Sequence, residues 1–325
     1  MLDGVPFKPI PTMNVLCHYG GLGDSVARMP AVNYLLSQHP HIQHVDLYVQ
    51  DYFIPVAREL LKHHGERITV HGYTGMKEKI NASDAPGMKC DNVHHTTLRT
   101  HLTDHAFHCI VDAGNIPKEE KVYLKFKWAG NITRKDQVVI TTGFTSATRE
   151  FNPLVINEIA QWCISMGFKV IFLGKSQSEF WEEKGKATTA NFRPEVDYSV
   201  GEDLRDKTSL MTAANIMARS RAVIGLDNGL LHLAACTYTP VIMGFTTVNP
   251  KHRVPYGGYV LEVQPDLFKV PCRFCQSKMG FVYNFDLRNC YTNTYKCVSE
   301  QTAAPYIRHL EEVLGGYFLQ RTATR

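Results

Sequence analysis

Twice along the chain a short apolar run ends in a glycine-bearing turn and passes directly into a helical pattern. Met13 to His18 (MNVLCH) meets Tyr19-Gly20-Gly21-Leu22-Gly23-Asp24 and then a helix over about 25–38. Ala222 to Leu226 meets Asp227-Asn228-Gly229 and a helix over 229–236. A buried strand feeding a helix through a tight turn is the repeating unit of a parallel sheet, because parallel neighbours need a crossover and a helix is the usual one. The same alternation fills both halves. In the first, apolar runs at 45–49, 68–71 and 109–112 read as strands and 53–63 as a helix, with Pro30 expected to kink its own helix or restart it. In the second, strands are expected at 138–142, 169–173 and 240–244, and helices at 153–166, 176–186 and 209–220.

Two such series in 325 residues predict an α/β chain of two doubly wound, Rossmann-like domains facing a cleft. The boundaries are 1–136 and 137–325, the second including a cysteine-rich segment at 270–298 and a closing amphipathic helix over about 303–319. Residues 74–106 are polar and irregular and read as an insertion or long loop. Five histidines fall between His94 and His108, without spacing that identifies a metal site.

Composition narrows the class. Apolar residues at 44% and charged residues at 20% can build real cores. The excess of +4 permits an anionic partner without naming one. No apolar run reaches the ~20 residues of a membrane span, and MLDGVPFKPIPT lacks a signal-peptide pattern, so a cytoplasmic location is expected.

The chemistry is expected in the loops after the strands. Gly21 and Gly23 allow a close backbone approach, and Asp24 either caps the helix or acts as a general base on a hydroxyl. The third glycine of a dinucleotide fingerprint is replaced by Val26. At the second junction, Asp227 or Asn228 can cap, and the amides of Gly229, Leu230 and Leu231 would offer a diphosphate site that His232 could also reach. Thr141 to Pro153 (TTGFTSATREFNP) brings hydroxyls such as Thr142 and one guanidinium, Arg149, apt for phosphate oxygens, although a solvated loop has the same composition.

Nine cysteines in one chain need a reason. Cys272, Cys275, Cys290 and Cys297 form C-x2-C-x14-C-x6-C, the donor set of a four-thiolate metal finger, with two disulfides or four unlinked thiols as alternatives. Four of the other five, Cys17, Cys109, Cys163 and Cys236, fall in expected strands or helices and read as small buried hydrophobes, whereas Cys90 does not.

Three segments together resemble glycosyltransferase family nine, the ADP-heptose heptosyltransferases: GGLGDSVARMPAVNYLLSQHP, TSATREFNP, and DLRDKTSLMTAANIMARSRAVIGLDNGLLHLAACTYTPVI. The resemblance runs from about 13 to 310 and is weakest over 74–136. It implies the two-domain GT-B fold and an inverting transfer of a sugar, heptose by family default, from a nucleotide-diphosphate donor (ADP-heptose or another) to an acceptor hydroxyl. On this resemblance Asp24 is the general base, Arg149 stands where the family usually has lysine, and Asp227, Asn228, Gly229, Leu230 and His232 hold the donor. Thr246 and Thr247 match the loop that closes over it. The cysteine quartet is similar to the iron-binding finger of autotransporter-type heptosyltransferases, with different later spacing, which implies iron or zinc.

The acceptor stays open among a protein, a glycan and modified DNA, the last permitted by the basic stretch Lys118 to Lys135. A GT-B sugar-nucleotide epimerase and a non-catalytic sugar-nucleotide binding protein are the competing readings, and the oligomeric state is open.

Overall fold

The computed structural model describes residues 10–17, 20–74, 87–89, 100–111, 116–143, 147–176, 195–279, 290, 292 and 294–323. The first half contains β1 (Ile10–Cys17), α1 (Leu22–Gln38), β2 (Ile42–Val49), α2 (Ile54–Leu61), β3 (Ile68–Gly72), β4 (Gly87–Lys89) and α3 (Leu102–Val111). Its sheet runs β3-β2-β1-β4 with every pairing parallel. Met13 to Cys17 are all buried, as a central parallel strand covered on both faces requires.

Two expectations are corrected here. Pro30 does not restart the helix: α1 runs through it from Leu22 to Gln38, with Ser25 to Val32 buried without a break. The run at Cys109 belongs to α3 rather than to a strand. Leu102, Ala106, Phe107 and Ile110 are buried at helical spacing, a periodicity that a four-residue apolar run is too short to reveal. Asp112, the expected helix at 176–186 beyond Ser176, and most of 74–99 lie outside the described residues.

The second half contains β5 (Gln137–Thr142), α4 (Pro153–Ser165), β6 (Lys169–Gly174), β7 (Glu202–Asp203), α5 (Leu210–Ala218), β8 (Ala222–Leu226), α6 (Gly229–Ala234), β9 (Val241–Gly244) and β10 (Val260–Val263). Helices α7 (Cys275–Met279), α8 (Lys296–Ser299) and α9 (Ala304–Ala323) follow. The sheet runs β10-β9-β8-β5-β6-β7, again parallel. Successive side chains of β5 separate to opposite faces. Val138 and Ile140 join a core with Val155 and Ile159 of α4 and Leu310 and Leu314 of α9. Val139 joins a second core that continues through Leu231 and Leu233 of α6 into Val26, Met29 and Val15 of the first half. The halves are therefore welded by apolar contact.

The segment between the sheets is a strap on the second half. Tyr123 N–H donates to Tyr256 O (2.9 Å), Phe126 N–H to Cys236 O (2.9 Å) and Lys135 N–H to Arg219 O (2.7 Å). Three of its cations are engaged by the fold: Lys121 pairs with Asp104 at 2.9 Å, Lys125 donates to Ala235 O, and Arg134 donates to Tyr238 O at 2.7 Å.

Strand order locates the crevices. In the first sheet β1 lies between β2 and β4; in the second β5 lies between β6 and β8. At such reversals the loops leaving neighbouring strands diverge to opposite faces and open a crevice at the carboxyl ends, where open α/β sheets bind ligands. The loops at these two points are those after β1, β5 and β8.

Candidate functional site

On the first side, Gly20 leaves β1 at φ +88°, a conformation L side chains rarely adopt. Asp24, in the first turn of α1, reaches back to accept Gly21 N–H at 2.8 Å, and Ser25 Oγ donates to Gly21 O at 3.2 Å. Asp24 thus caps its helix while remaining half-buried. Buried Arg28, one turn on, donates to Cys17 O at 3.2 Å and secures the end of β1.

The second side is a closed polar network. Asp227 is buried at the end of β8, where its Oδ2 accepts from Arg149 Nη2 (2.9 Å) and its carbonyl accepts from the same nitrogen. Its Oδ1 lies 3.3 Å from His232 Nε2, and His232 Nδ1 lies 2.9 Å from the Tyr123 hydroxyl. With Tyr123 donating to Nδ1, the imidazole carries its proton on Nε2 and donates to Asp227. Burial alone would push the Asp227 carboxyl up. The Arg149 guanidinium, the His232 hydrogen bond and the more distant Arg253 outweigh it and hold the group well below the usual carboxylate range.

Asn228 settles the capping question. Its Oδ1 accepts from Leu230 N (3.0 Å) and Leu231 N (3.2 Å), and its Nδ2 donates to Thr141 Oγ1 (3.1 Å), which itself donates to Ile224 O (3.2 Å). Of the three amides expected at the start of α6, those of Leu230 and Leu231 serve the cap, and the helix spans Gly229–Ala234. Thr142 is buried at the end of β5, with its hydroxyl 3.5 Å from Leu173 O. His232 is likewise committed to protein partners at both ring nitrogens.

The two sides meet at Gly23 and Gly229. A Cβ on Gly229 would lie 2.5 Å from Leu22 Cβ, and one on Gly23 would lie 2.9 Å from His232 Cδ2. This close approach of α1 to α6 is what their glycines make possible, and it sets Asp24 one residue from the Asp227–His232 network.

Thr246 and Thr247 follow β9 and are buried. Their carbonyls accept from Phe274 N and Gln276 N, each at 3.0 Å, while Thr247 Oγ1 has no hydrogen-bond partner among the described residues. The cysteine quartet lies behind this loop. Burial pushes the Cys275 thiol up to about 11, with Cys272 and Cys290 adding to it. Burial, then Cys275, Cys290 and Cys272, push Cys297 up to about 12. Burial opposes ionisation of Cys290 too, yet the Thr292 hydroxyl and the amides of Tyr295, Thr292 and Thr294 hold it below the usual thiol range. The four sulfurs are thus within electrostatic reach of one another, and four thiols are the donor set that suits zinc or iron. Among the described residues no three His, Cys, Asp or Glu side chains are gathered closely enough to hold a metal. No disulfide links the quartet, all four being free thiols.

Sequence reading did not single out Tyr123, Arg28 or Arg253. Tyr123 lies in the strap between the sheets, where nothing local distinguishes it, and only the fold brings it to His232. The five-histidine segment divides: His94 and His95 lie outside the described residues, whereas His101 is buried, bonded through Nε2 to Val254 O (2.8 Å) and accepting Thr103 N–H (3.2 Å) at Nδ1. No helix among the described residues is long and apolar enough to cross a membrane.

Known proteins are similar to this chain in sequence or in fold. Lipooligosaccharide heptosyltransferase 2 of Haemophilus influenzae is 29% identical over 99 residues, 30% of this chain and 27% of that protein, so the aligned stretch spans about a quarter of its relative's length. Three solved structures share the GT-B fold. TibC of enterotoxigenic E. coli, described as an iron-containing dodecameric glycosyltransferase, superposes with a TM-score of 0.70 at 15% identity, over 96% of this chain and 78% of its own. A family 9 glycosyl transferase from Veillonella parvula gives 0.64 at 13% identity, over 96% and 99%. The E. coli heptosyltransferase WaaC with ADP gives 0.60 at 12% identity, over 93% and 99%. The model of glycosyltransferase family 9 (heptosyltransferase) matches residues 118–282, just over half of the sequence, and the chain belongs to that family.

Proposed function

We propose that the protein transfers a sugar, heptose in the first instance, from a nucleoside-diphosphate sugar to an acceptor hydroxyl with inversion at the anomeric carbon. The observation that carries this reading is the meeting of the two switch-point loops, where Gly23, the neighbour of half-buried Asp24, packs against His232 of the saturated network built on Asp227. Asp24 accepts the proton of the attacking hydroxyl, while the bond from the anomeric carbon to the diphosphate breaks on the opposite face. General-base assistance of this kind contributes about 10²–10⁴-fold.

Arg149 meets the departing charge. It holds Asp227 through Nη2 alone, and its Nη1 and Nε have no protein partner among the described residues, which leaves their N–H groups for phosphate oxygens. Thr246 and Thr247 border the donor, the unbonded Thr247 hydroxyl being a natural partner for it. Gly21 and Gly23 shape the acceptor side of the loop. Thr142, Asp227, Asn228, Gly229, Leu230 and His232 act in this proposal by fixing the donor-side geometry rather than by presenting free groups. The division at residue 136 into acceptor-side and donor-side domains is kept on the same grounds.

An ADP complex of WaaC and an ADP-D-beta-D-heptose complex of TibC make the adenosine donor the first to try. The quartet Cys272, Cys275, Cys290 and Cys297 would hold iron or zinc as thiolates, where the cation's contribution is structural, neutralising charge that burial otherwise disfavours. The test is a thermal-shift screen of nucleotide sugars followed by assay of the hit. Stabilisation by a nucleoside-diphosphate sugar and a product of inverted configuration by NMR are expected. A retained configuration, or no stabilisation by any sugar nucleotide, would sink the reading.

A further inference from the structure

The cysteine segment does more than close on itself. Its second half holds the Arg149 loop at several points: Cys297 Sγ lies 3.8 Å from Thr148 O, and Asn152 Nδ2 donates to Val298 O at 3.2 Å. Gln301 completes this contact. Its Nε2 donates to Glu150 O (3.0 Å) and Cys297 O (3.2 Å), and its Oε1 accepts Asn152 N–H (3.1 Å). Residues on both sides of Arg149 are thereby tied to 297–301.

The first half of the segment holds the other donor loop. Phe274 N–H and Gln276 N–H donate to Thr246 O and Thr247 O, and Asn249 N–H donates to Ser277 Oγ at 2.9 Å. Val270, Cys297 and Val298 form a small core against Cys272, which joins the two halves. Each half also keeps one non-glycine residue in the left-handed region, Phe274 at φ +61° and Tyr295 at φ +49°. Such conformations persist where surrounding contacts over-determine them. The loops after β5 and β9 belong to strands separated by β8, yet one segment grips both.

We propose that residues 270–279 and 294–301, packed on each other through Val270, Cys272, Cys297 and Val298, form a brace that fixes the two donor loops relative to each other, with Gln301 the positioning residue that carries it to the Arg149 loop. The proposal rests on the donor reading above. It assigns a role to Gln301, a neutral side chain that donates to Glu150 O and accepts from Asn152 N–H. Gln301 uses both ends of its amide, so no single-ended side chain replaces it.

The test uses the full chain with Gln301→Ala, Gln301→Glu and Ser277→Ala. Two quantities are read: the Kd of the nucleoside diphosphate selected by the screen, by calorimetry, and amide hydrogen exchange. Gln301→Ala is expected to weaken the nucleotide by about tenfold and to speed exchange at Asn152, while Phe274 and Gln276 stay protected. Gln301→Glu keeps the acceptor for Asn152 N–H but loses both donors, and should recover part of the affinity. Ser277→Ala should loosen the 246–249 loop and leave Asn152 unchanged. Nucleotide binding by folded Gln301→Ala at the parent's affinity would overturn the brace and leave the donor reading standing. So would equal acceleration at Asn152, Phe274 and Gln276, which marks general loosening. Absence of nucleotide binding by the parent would overturn the donor reading first, and the brace with it. Should Gln301→Ala fail to fold, the Gln301→Glu and Ser277→Ala pair carries the same comparison.

Discussion

The two strand-to-helix junctions use similar materials, Gly20-Gly21-Leu22-Gly23-Asp24 after β1 and Asp227-Asn228-Gly229-Leu230-Leu231-His232 after β8, and reach opposite states. The carboxylate of Asp24 has one backbone N–H as its bonded partner and stays half-buried. That of Asp227 is buried and answered by Arg149 on one oxygen and His232 on the other, with Tyr123 behind. A group that must exchange a proton with a ligand needs access and an uncommitted lone pair. A group that must hold a guanidinium and an imidazole in place needs neither. Of two aspartates in look-alike turns, the more connected one serves architecture, and under the proposed function the less connected one serves the chemistry.

Substitutions can break this contrast. The largest expected effect is that of Asp24→Asn, a loss of about 10²–10⁴ in transfer rate with nearly unchanged melting, since the asparagine oxygen can still accept Gly21 N–H. Transfer kinetics beside a thermal melt would check it; a large fall in melting with modest rate loss would reverse the assignment of roles. Next is Asp227→Ala, which strands the Arg149 charge and should cost about 3–5 kcal/mol by chemical denaturation. The folded carboxyl of Asp227 lies below its unfolded value of about 3.9. Its contribution is therefore fully present above that range and is lost as pH falls through it, and the variant should lack this part of the acid-side loss. The smallest is Tyr123→Phe, which leaves His232 Nδ1 without its donor and should cost about 1–2 kcal/mol, read by the same denaturation. If it instead abolished transfer without affecting stability, the network would be part of the chemistry and the comparison would need redrawing.

Much of the fold was legible because its signals are local. β8 was expected at Ala222 to Leu226 and is found there, since an all-apolar run flanked by turn residues has few other ways to bury itself. α4 was expected at 153–166 and runs Pro153–Ser165, with Asn152 as its cap and proline at the first helical position. α3 was misread at its end because its stripe of Leu102, Ala106, Phe107 and Ile110 begins in a polar, histidine-rich stretch. At the site, Asp24, Arg149, Asp227 and His232 were all named from their turns, yet the partners of the last three were not. Tyr123 precedes His232 by 109 residues and Arg149 precedes Asp227 by 78, distances over which no sequence pattern speaks.

The sequence by itself determined the alternation of strands and helices, the glycine turns at their junctions and the inventory of reactive groups, because each depends on neighbours along the chain. Only the tertiary structure decided which of those groups are spent. Strand order placed the loops after β1, β5 and β8 at the two crevices, and the approach of Gly23 to His232 brought the crevices together. Arg149 and His232 then held one buried aspartate as a fixed anion, while the other stayed half-buried. Whether a polar group is free or committed depends on what the fold packs against it, and that is a property of three-dimensional neighbours.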